Sequence, residues 1–285
     1  MAPLTSPGAA AHLEPMLDPR GAARLADAAR ARTAELVAAL RSADRSTLHG
    51  PSALPGWDRL TIACHLRYGA VASRRMTTAA LKGRPAPFYP DGRSRQRPGT
   101  LVPHPGEGPS DVVGSLAEES DRLHDLWRRL SPEQWQTAVH EPVANPDLGR
   151  TTVVFLALLR LTEVEIHGTD LDLGLRAWSD DFVRNALPVR LGWLAGRRGP
   201  ARPALPGVEG SWLLRATDGP CQLVSVHGDR VTSEPAEPTT AADAVIEGTS
   251  RDLLALLVGR PPTRTLALLG DPHLAAAFGE VFPGP

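Results

Sequence analysis

The chain has 285 residues, of which 42% are hydrophobic and 22% charged, and its formal net charge is -1. The length suffices for one large domain or two of average size, and the composition is typical of a folded protein. The near-neutral charge argues against nucleic acid or an anionic membrane as a partner. The sequence shows neither a secretory signal nor an apolar run of the roughly 20 residues that a membrane span needs. Two cysteines are too few for a disulfide framework, so we expect a cytoplasmic protein with reduced thiols.

The N-terminal part of the sequence predicts a helix bundle. Residues 1–18 are rich in Pro and Ala and are expected to form a flexible tail. Apolar residues then recur at helical spacing, and Asp58 stands where an N-cap belongs. A long stretch at 84–109, dense in Pro, Gly and Arg, predicts a functional lid or a disordered loop. The four long helices are predicted at 20–46, 59–83, 110–130 and 150–173, with a further helical stretch at 180–194.

The composition changes after this helical part. A Pro-, Gly- and Arg-rich stretch precedes short alternating segments that end in Asp-Gly or Gly-Asp turns, which are typical of strands. The predicted strands are SWLLRATDG, CQLVSVHGD, RVTSEPA, ADAVIEG and TRTLALLG, and the predicted helices are SRDLLALLVGR and DPHLAAAFGEVF. The predicted fold class is therefore α+β, with a four-helix bundle at 19–197 and a smaller α+β domain at 198–285.

The end of the fourth predicted helix, RLTEVEIHGTDLDLG, concentrates carboxylates around a histidine. Glu163 and His167 are four residues apart, so they share one helix face, and a carboxylate with an imidazole is a natural pair of zinc ligands. A solvated helix end explains the same composition. His65 lies among apolar residues of the second helix, where a core histidine is commonly satisfied by a carboxylate. If the two helices bring all three side chains together, they form a three-ligand site with an open position, as in catalytic zinc sites.

Four other residues invite interpretation. Cys64 adjoins His65, but adjacent helical residues point about 100° apart, so we expect it to pack into the bundle rather than act as a nucleophile. Cys221 is expected to be buried in a strand. Trp57 is expected to anchor its turn against the bundle rather than to stack on a ligand. His124, like the remaining histidines, is expected in a surface, tail or loop position.

Two motifs together carry a family resemblance. LPGWDRLTIACHL, followed at a distance by RLTEVEIHGTDL, resembles the mycothiol-dependent maleylpyruvate isomerase family, which belongs to the DinB-like metal-binding four-helix bundles. PFYPDGRSR and the C-terminal EGTSRDLLALLVGRPPTRTLALLGDPHLAAAF resemble further segments of that family, so the resemblance covers roughly residues 20–280. It implies that the catalytic metal ligands are His65, Glu163 and His167, and that the metal is zinc or another divalent ion.

The resemblance also bears on the neighbours of these ligands. It implies that Asp170 orients a ligand histidine. It gives Glu165 no ligand role, which leaves this residue either solvated or an acceptor for a ligand's second nitrogen. Gly168 stands where many members have a second histidine, so a role for a second imidazole there is not expected.

The resemblance further implies mycothiol as a cosubstrate and a small-molecule electrophile as its acceptor. A thiol with a pKa of about 8.5 is mostly protonated at neutral pH, and coordination to zinc deprotonates it. The thiolate stays on the product of an S-transferase and leaves again in a maleylpyruvate-type cis-trans isomerase; the long loop favours the transferase. The predicted cofactor-binding residues are Arg93, Arg95 and Arg260, with Arg97 a further candidate.

Two other classes of function remain open at the level of the sequence. One is a non-catalytic small-molecule-binding or regulatory protein that keeps the DinB-like bundle, although such a protein is expected to lose a ligand. The other is a metal-dependent hydrolase, for which Glu165 is the obvious general base. The expected oligomeric state is a monomer or a homodimer.

Overall fold

A computed structural model of the protein describes residues 19–145, 148–175, 177–196 and 207–284. It contains a helical N-terminal unit and a C-terminal unit built on a sheet, which confirms the predicted α+β class. The two units divide between Phe182 and Val183, earlier in the chain than the predicted limit at residue 197. The predicted domain limits stay a prediction, and the predicted tail at 1–18 lies outside the described residues.

The N-terminal unit is a four-helix bundle. Its elements are α1 (Pro19–Ser42), α2 (Arg45–Leu48), α3 (Arg59–Ala80), α4 (Arg93–Thr100), α5 (Pro109–Trp127), α6 (Pro132–Trp135), β1 (Ala138–Val139), β2 (Thr151–Thr152) and α7 (Val153–Asp170). The helices α1 and α3 each pack against both α5 and α7, which closes the bundle. No helix within the described ranges combines the length and the apolar character needed to cross a bilayer.

Local contacts determine where the two helices that carry the candidate site begin. Asp58 caps α3 as predicted, because its carboxylate accepts the backbone N–H of Thr61 at 2.6 Å. The predicted start of the fourth helix at Arg150 is three residues early, since α7 begins at Val153. The reason is a short antiparallel pairing that the sequence did not reveal, in which β2 pairs with β1 just before the helix.

The stretch at 84–109 is ordered, so of the two predicted alternatives, a functional lid or a disordered loop, the disordered loop is wrong. It contains the two-turn helix α4, which follows Gly92 at φ 84°. The phenol of Tyr68 in α3 donates to the carbonyl of Phe88 at 2.7 Å, and the ring of Tyr89 stacks on that of Tyr68 with centroids 5.2 Å apart. These contacts fix the start of the stretch on α3, and α4 also contacts α3.

The C-terminal unit is a five-stranded sheet with flanking helices. After α8 (Asp180–Gly196), which begins in the bundle unit, come β3 (Gly210–Ala216), β4 (Cys221–His227), β5 (Arg230–Ala236), β6 (Ala244–Gly248), α9 (Ser250–Leu257), β7 (Ala267–Gly270) and α10 (Pro272–Val281). The strand order is β5-β4-β3-β6-β7, in which only the β3–β6 pair is parallel. Trp212 is fully buried, with its ring against those of Phe278 and Phe282 and its indole N–H donating to the carbonyl of Leu274 at 2.7 Å.

Candidate metal centre

The bundle brings the three predicted ligands together. Glu163 and His167 lie one turn apart on α7, and His65 reaches them from the adjacent helix α3. One donor atom from each residue lies within 4.8 Å of the other two. The carboxylate Oε2 of Glu163 is 2.6 Å from Nε2 of His65 and 3.5 Å from Nε2 of His167. Three donors from two helices therefore converge on one point.

The second ring nitrogen of His167, Nδ1, also has a hydrogen-bond partner. Its Nδ1 is 2.9 Å from Oδ2 of Asp170, a residue that is only 3% exposed. Because an ionised carboxylate only accepts, Nδ1 carries the proton and donates it to Asp170. When the ring is in its neutral form, as a metal ligand must be, its lone pair is then on Nε2, the atom that faces Glu163. The predicted orienting contact of Asp170 is thus present, and two imidazoles with one carboxylate form a donor set that suits a divalent metal.

The ionisable groups of the cluster shift one another's pKa values. Burial lowers the pKa of His65, more than the hydrogen bond to Glu163 raises it. Burial alone would lower the pKa of His167, but its hydrogen bonds to Asp170 and Glu163 raise it to about 9. Burial would raise the pKa of Glu163, but hydrogen bonds from His167 and His65 hold it well below its usual range. Glu163 is therefore a carboxylate at neutral pH, as a metal ligand must be.

Trp57 belongs to the site, which the sequence analysis missed. Its ring centroid is 5.3 Å from that of His65 and 5.8 Å from that of His167. The guanidinium carbon of Arg97, on α4, lies 5.6 Å from the centre of the same ring. Trp57 therefore contacts both candidate ligands rather than only anchoring its turn. A Trp just before the N-cap of the His65 helix is the one signal in the sequence that could have placed it there.

The four predicted arginines have different surroundings in the structure. Arg97 is the arginine of α4 that stacks on Trp57, and its charge contributes to lowering the pKa of His65. Arg93 lies with its guanidinium carbon 5.6 Å from the ring centre of Tyr89, and Arg95 is exposed. Arg260 is in the C-terminal unit, where Nη1 donates to the carbonyl of Val258 at 3.4 Å. The cofactor-binding roles of Arg93, Arg95 and Arg260 stay predictions.

Glu165 is fully buried and faces away from the cluster. Its carboxylate lies 3.1 Å from Nε of Arg32 and accepts the backbone N–H of Ser179 at 3.2 and 3.3 Å. Two residues apart on a helix, Glu163 and Glu165 point in different directions. Glu165 is thus neither solvated nor an acceptor for a ligand histidine, and it is not placed to serve as the general base of a hydrolase.

The same arginine explains the glycine at position 168. A Cβ added to Gly168 would come within 3.1 Å of Nε of Arg32. The space that a second histidine would need at this position is therefore filled by the guanidinium that pairs with Glu165.

The cysteine predictions are confirmed, and one histidine prediction is wrong. Cys64 is fully buried, and burial raises the pKa of its thiol to about 11, as is typical of a cysteine that packs in a core and is not activated. Cys221 is buried in β4. His124, expected at the surface, is instead 7% exposed, because it lies on the inner side of α5.

The four-helix bundle carries a His-Glu-His cluster that is a candidate metal centre, and comparison with known proteins shows the family. Residues 26–172 match the family model of the mycothiol maleylpyruvate isomerase N-terminal domain. The match spans more than half of the chain, so the protein belongs to this family, as the sequence motifs predicted. No curated protein matches the sequence.

Solved structures show the same fold. A crystal structure of the mycothiol-dependent maleylpyruvate isomerase is 20% identical, with a TM-score of 0.63 over 90% of this chain and 94% of that chain. A histidine-to-alanine mutant of that enzyme is 19% identical, with the same TM-score and coverage. YfiT from Bacillus subtilis, described as a probable metal-dependent hydrolase with an unusual four-helix bundle topology, is 19% identical, with a TM-score of 0.41 over 55% of this chain and 87% of that chain. At these identities the likeness to the two isomerase structures is one of fold.

Proposed function

We propose that the protein is a metal-dependent enzyme that activates a low-molecular-weight thiol, mycothiol by its family, and adds it to an electrophilic small molecule. The observation that carries this proposal is the convergence of His65, Glu163 and His167 within 4.8 Å. Three protein ligands leave an open coordination position, as catalytic rather than structural zinc sites do. These three residues would hold a divalent metal, with zinc the candidate, and the bound metal would lower the pKa of a coordinated thiol and so supply a thiolate at neutral pH.

Each residue of the site has a distinct task in this proposal. Asp170 holds the proton of His167 on Nδ1, which keeps Nε2 free as a donor to the metal. The side chain of Glu163 is 23% exposed, so small molecules reach the cluster on its side. Trp57 forms an apolar wall against both imidazoles and keeps water from them.

Arg97 supplies positive charge next to the cluster. Its Nε is buried and has no hydrogen-bond partner within the described residues, so it can donate to an anionic group of the thiol or of the acceptor. Arg93 and Arg95 lie on the same short helix, and we propose both as further contacts to the cosubstrate, for which mycothiol is the candidate. A cofactor-binding role for Arg260, which lies in the C-terminal unit, is a separate proposal.

The transferase and the isomerase use the same site and differ in the fate of the thiol. In the transferase, the sulfur forms a bond to carbon that remains in the product. In a maleylpyruvate-type isomerase, the sulfur adds to an activated double bond, the former double bond rotates, and the thiol leaves again. We place the S-transferase first, because the ordered stretch at 84–109 is longer than a minimal bundle needs and contributes α4 to the site. The presence of all three candidate ligands stands against a purely regulatory protein.

The proposal is tested with zinc-loaded protein, mycothiol and two acceptors, monochlorobimane and maleylpyruvate. Mass spectrometry follows the thioether conjugate, and absorbance follows isomerisation. We expect at least one reaction to depend on both thiol and metal, to be lost in Glu163→Gln, and to persist in Asp172→Asn, an exposed carboxylate nearby. Protein that binds zinc but does not bind mycothiol in calorimetry would contradict the proposal and favour a different use of the bundle.

A further inference from the structure

A second concave site lies in the bundle, away from the candidate metal centre. It is a groove of about 260 Å³ between α1 and α5, and its base is formed by Arg160 of α7. Its walls carry small side chains, among them Ala29, Ala34 and Ala117, which leave space between the two helices. None of the three candidate metal ligands is among the described residues that line it.

Arg160 is a buried cation without a carboxylate in contact. It is 4% exposed, and its Nη1 and Nη2 donate to the carbonyl of Leu66 at 2.7 Å and to Oγ of Ser120 at 2.9 Å. Both acceptors are neutral, and no carboxylate of the described residues lies within ion-pair distance of the guanidinium. Glu163, one turn along α7, acts on it only at longer range. A buried charge usually has a counterion, and these two hydrogen bonds leave further N–H donors of the guanidinium available.

The rest of the groove adds to its positive character. Arg30 and Arg41 line it together with one acidic residue, Asp121, so with Arg160 the lining carries three positive charges and one negative, a formal +2 with His124 neutral. His124 also lines the groove, and its Nδ1 is buried without a hydrogen-bond partner. Its Nε2 lies 3.7 Å from Oδ1 of Asp27, too far for a hydrogen bond.

We propose that this groove binds a small organic carboxylate. The carboxylate group pairs with the guanidinium of Arg160, and the apolar body of the molecule lies on the alanines of α1 and α5. Arg is suited to this role because its planar fork matches the geometry of a carboxylate. The volume is below the roughly 300–1,000 Å³ of sites for drug-sized ligands, so the occupant is a molecule of the size of benzoate or butyrate. This site is independent of the proposed thiol chemistry.

The decisive experiment uses the full chain and benzoate as the probe, with binding measured by isothermal titration calorimetry. Ala34→Phe fills the groove from an exposed position on α1, and Ala31→Phe is its matched control, since Ala31 is exposed on the same helix but does not line the groove. We expect Ala34→Phe to lower the affinity for benzoate at least tenfold and Ala31→Phe to change this affinity less than twofold. His167→Ala should retain benzoate binding, which separates the groove from the metal centre.

A second part of the experiment tests the proposed contact between the carboxylate and Arg160. Arg160→Gln should weaken benzoate at least tenfold in protein whose melting temperature shows that it is folded, and inorganic phosphate should bind more weakly than benzoate because it lacks the apolar body. Benzoate binding that survives Ala34→Phe, or an absence of binding by wild type at millimolar benzoate, would overturn the proposal. Equal affinity for phosphate would overturn the assignment to an organic carboxylate.

Discussion

Replacing Asp170 by Asn tests how the candidate centre is held. The change keeps the size and shape of the side chain but removes the charge that accepts the Nδ1 proton of His167 at 2.9 Å. An amide can also rotate its NH₂ group towards Nδ1, which favours the tautomer with the proton on Nε2. That tautomer blocks the lone pair that a metal needs. We therefore expect weaker metal binding with an intact bundle.

The expected loss of zinc affinity follows from the burial of Asp170 and His167. Both partners are nearly inaccessible, at 3% for Asp170 and 4% for His167, so water cannot replace the lost contact. A hydrogen bond to a charged group contributes about 1.5–3 kcal/mol, and each 1.4 kcal/mol corresponds to about a tenfold change in affinity. This agrees with the loss of about 10–100-fold that is typical when the partner of a ligand histidine is removed. We expect zinc affinity to fall within that range.

The assay is a competition titration of zinc against a chromophoric chelator. Asp172→Asn is the matched control: the same chemical change two residues away, at an exposed position with φ 52°, a conformation that Asn tolerates well. The control should bind zinc like wild type. If Asp170→Asn stays within twofold of wild type, or if the control loses as much, Asp170 does not orient the ligand.

Three further predictions concern other parts of the molecule. Arg32→Met leaves Glu165 buried without its cation, and we expect the free energy of unfolding, measured by urea titration, to fall by about 3–5 kcal/mol. Adding Glu165→Gln should restore part of this loss. Full stability of the single variant would contradict the ion pair. Arg97→Met removes the positive charge that lies over the Trp57 ring and should raise KM for an anionic acceptor such as maleylpyruvate about 10–100-fold, whereas an unchanged KM would remove Arg97 from the site. Hydrogen bonds to Asp252 in the C-terminal unit lower its pKa despite burial, so its carboxylate stabilises the folded state above its unfolded pKa of about 3.9 and this stabilisation is lost as pH falls through the folded value. The stability difference between wild type and Asp252→Asn should therefore shrink from about pH 5 to about pH 3; a constant difference would refute it.

The main elements and the shared face of two candidate ligands could be predicted because they rest on local rules. Hydrophobic periodicity located the long helices, and Asp58 marked the start of α3 through a capping hydrogen bond that spans only three residues. The spacing of Glu163 and His167 fixed their common face. The meeting of His65 with these two residues needed the packing of α3 on α7, which the family resemblance supplied and the structure shows.

The errors concern residues whose positions depend on distant partners. Glu165 was expected at the surface or near the ligands because its charge suggests solvent, but Arg32, 133 residues earlier in the sequence, makes its burial tolerable. The helix α4 has few apolar residues and no side-chain N-cap, so nothing in its sequence indicates a helix. Trp57 lies against two imidazoles from different helices, a contact that no spacing in the sequence encodes.

The most direct test of the account is the metal content of the purified protein, measured by elemental analysis for wild type, His65→Ala and His167→Ala. Asp172→Asn serves as the control for a nearby change that does not affect the cluster. The account predicts about one divalent metal ion per chain in wild type and in the control, and its loss from both histidine variants. Wild-type protein that holds no metal after reloading, or histidine variants that retain it, would contradict the assignment of His65, Glu163 and His167 as a metal centre.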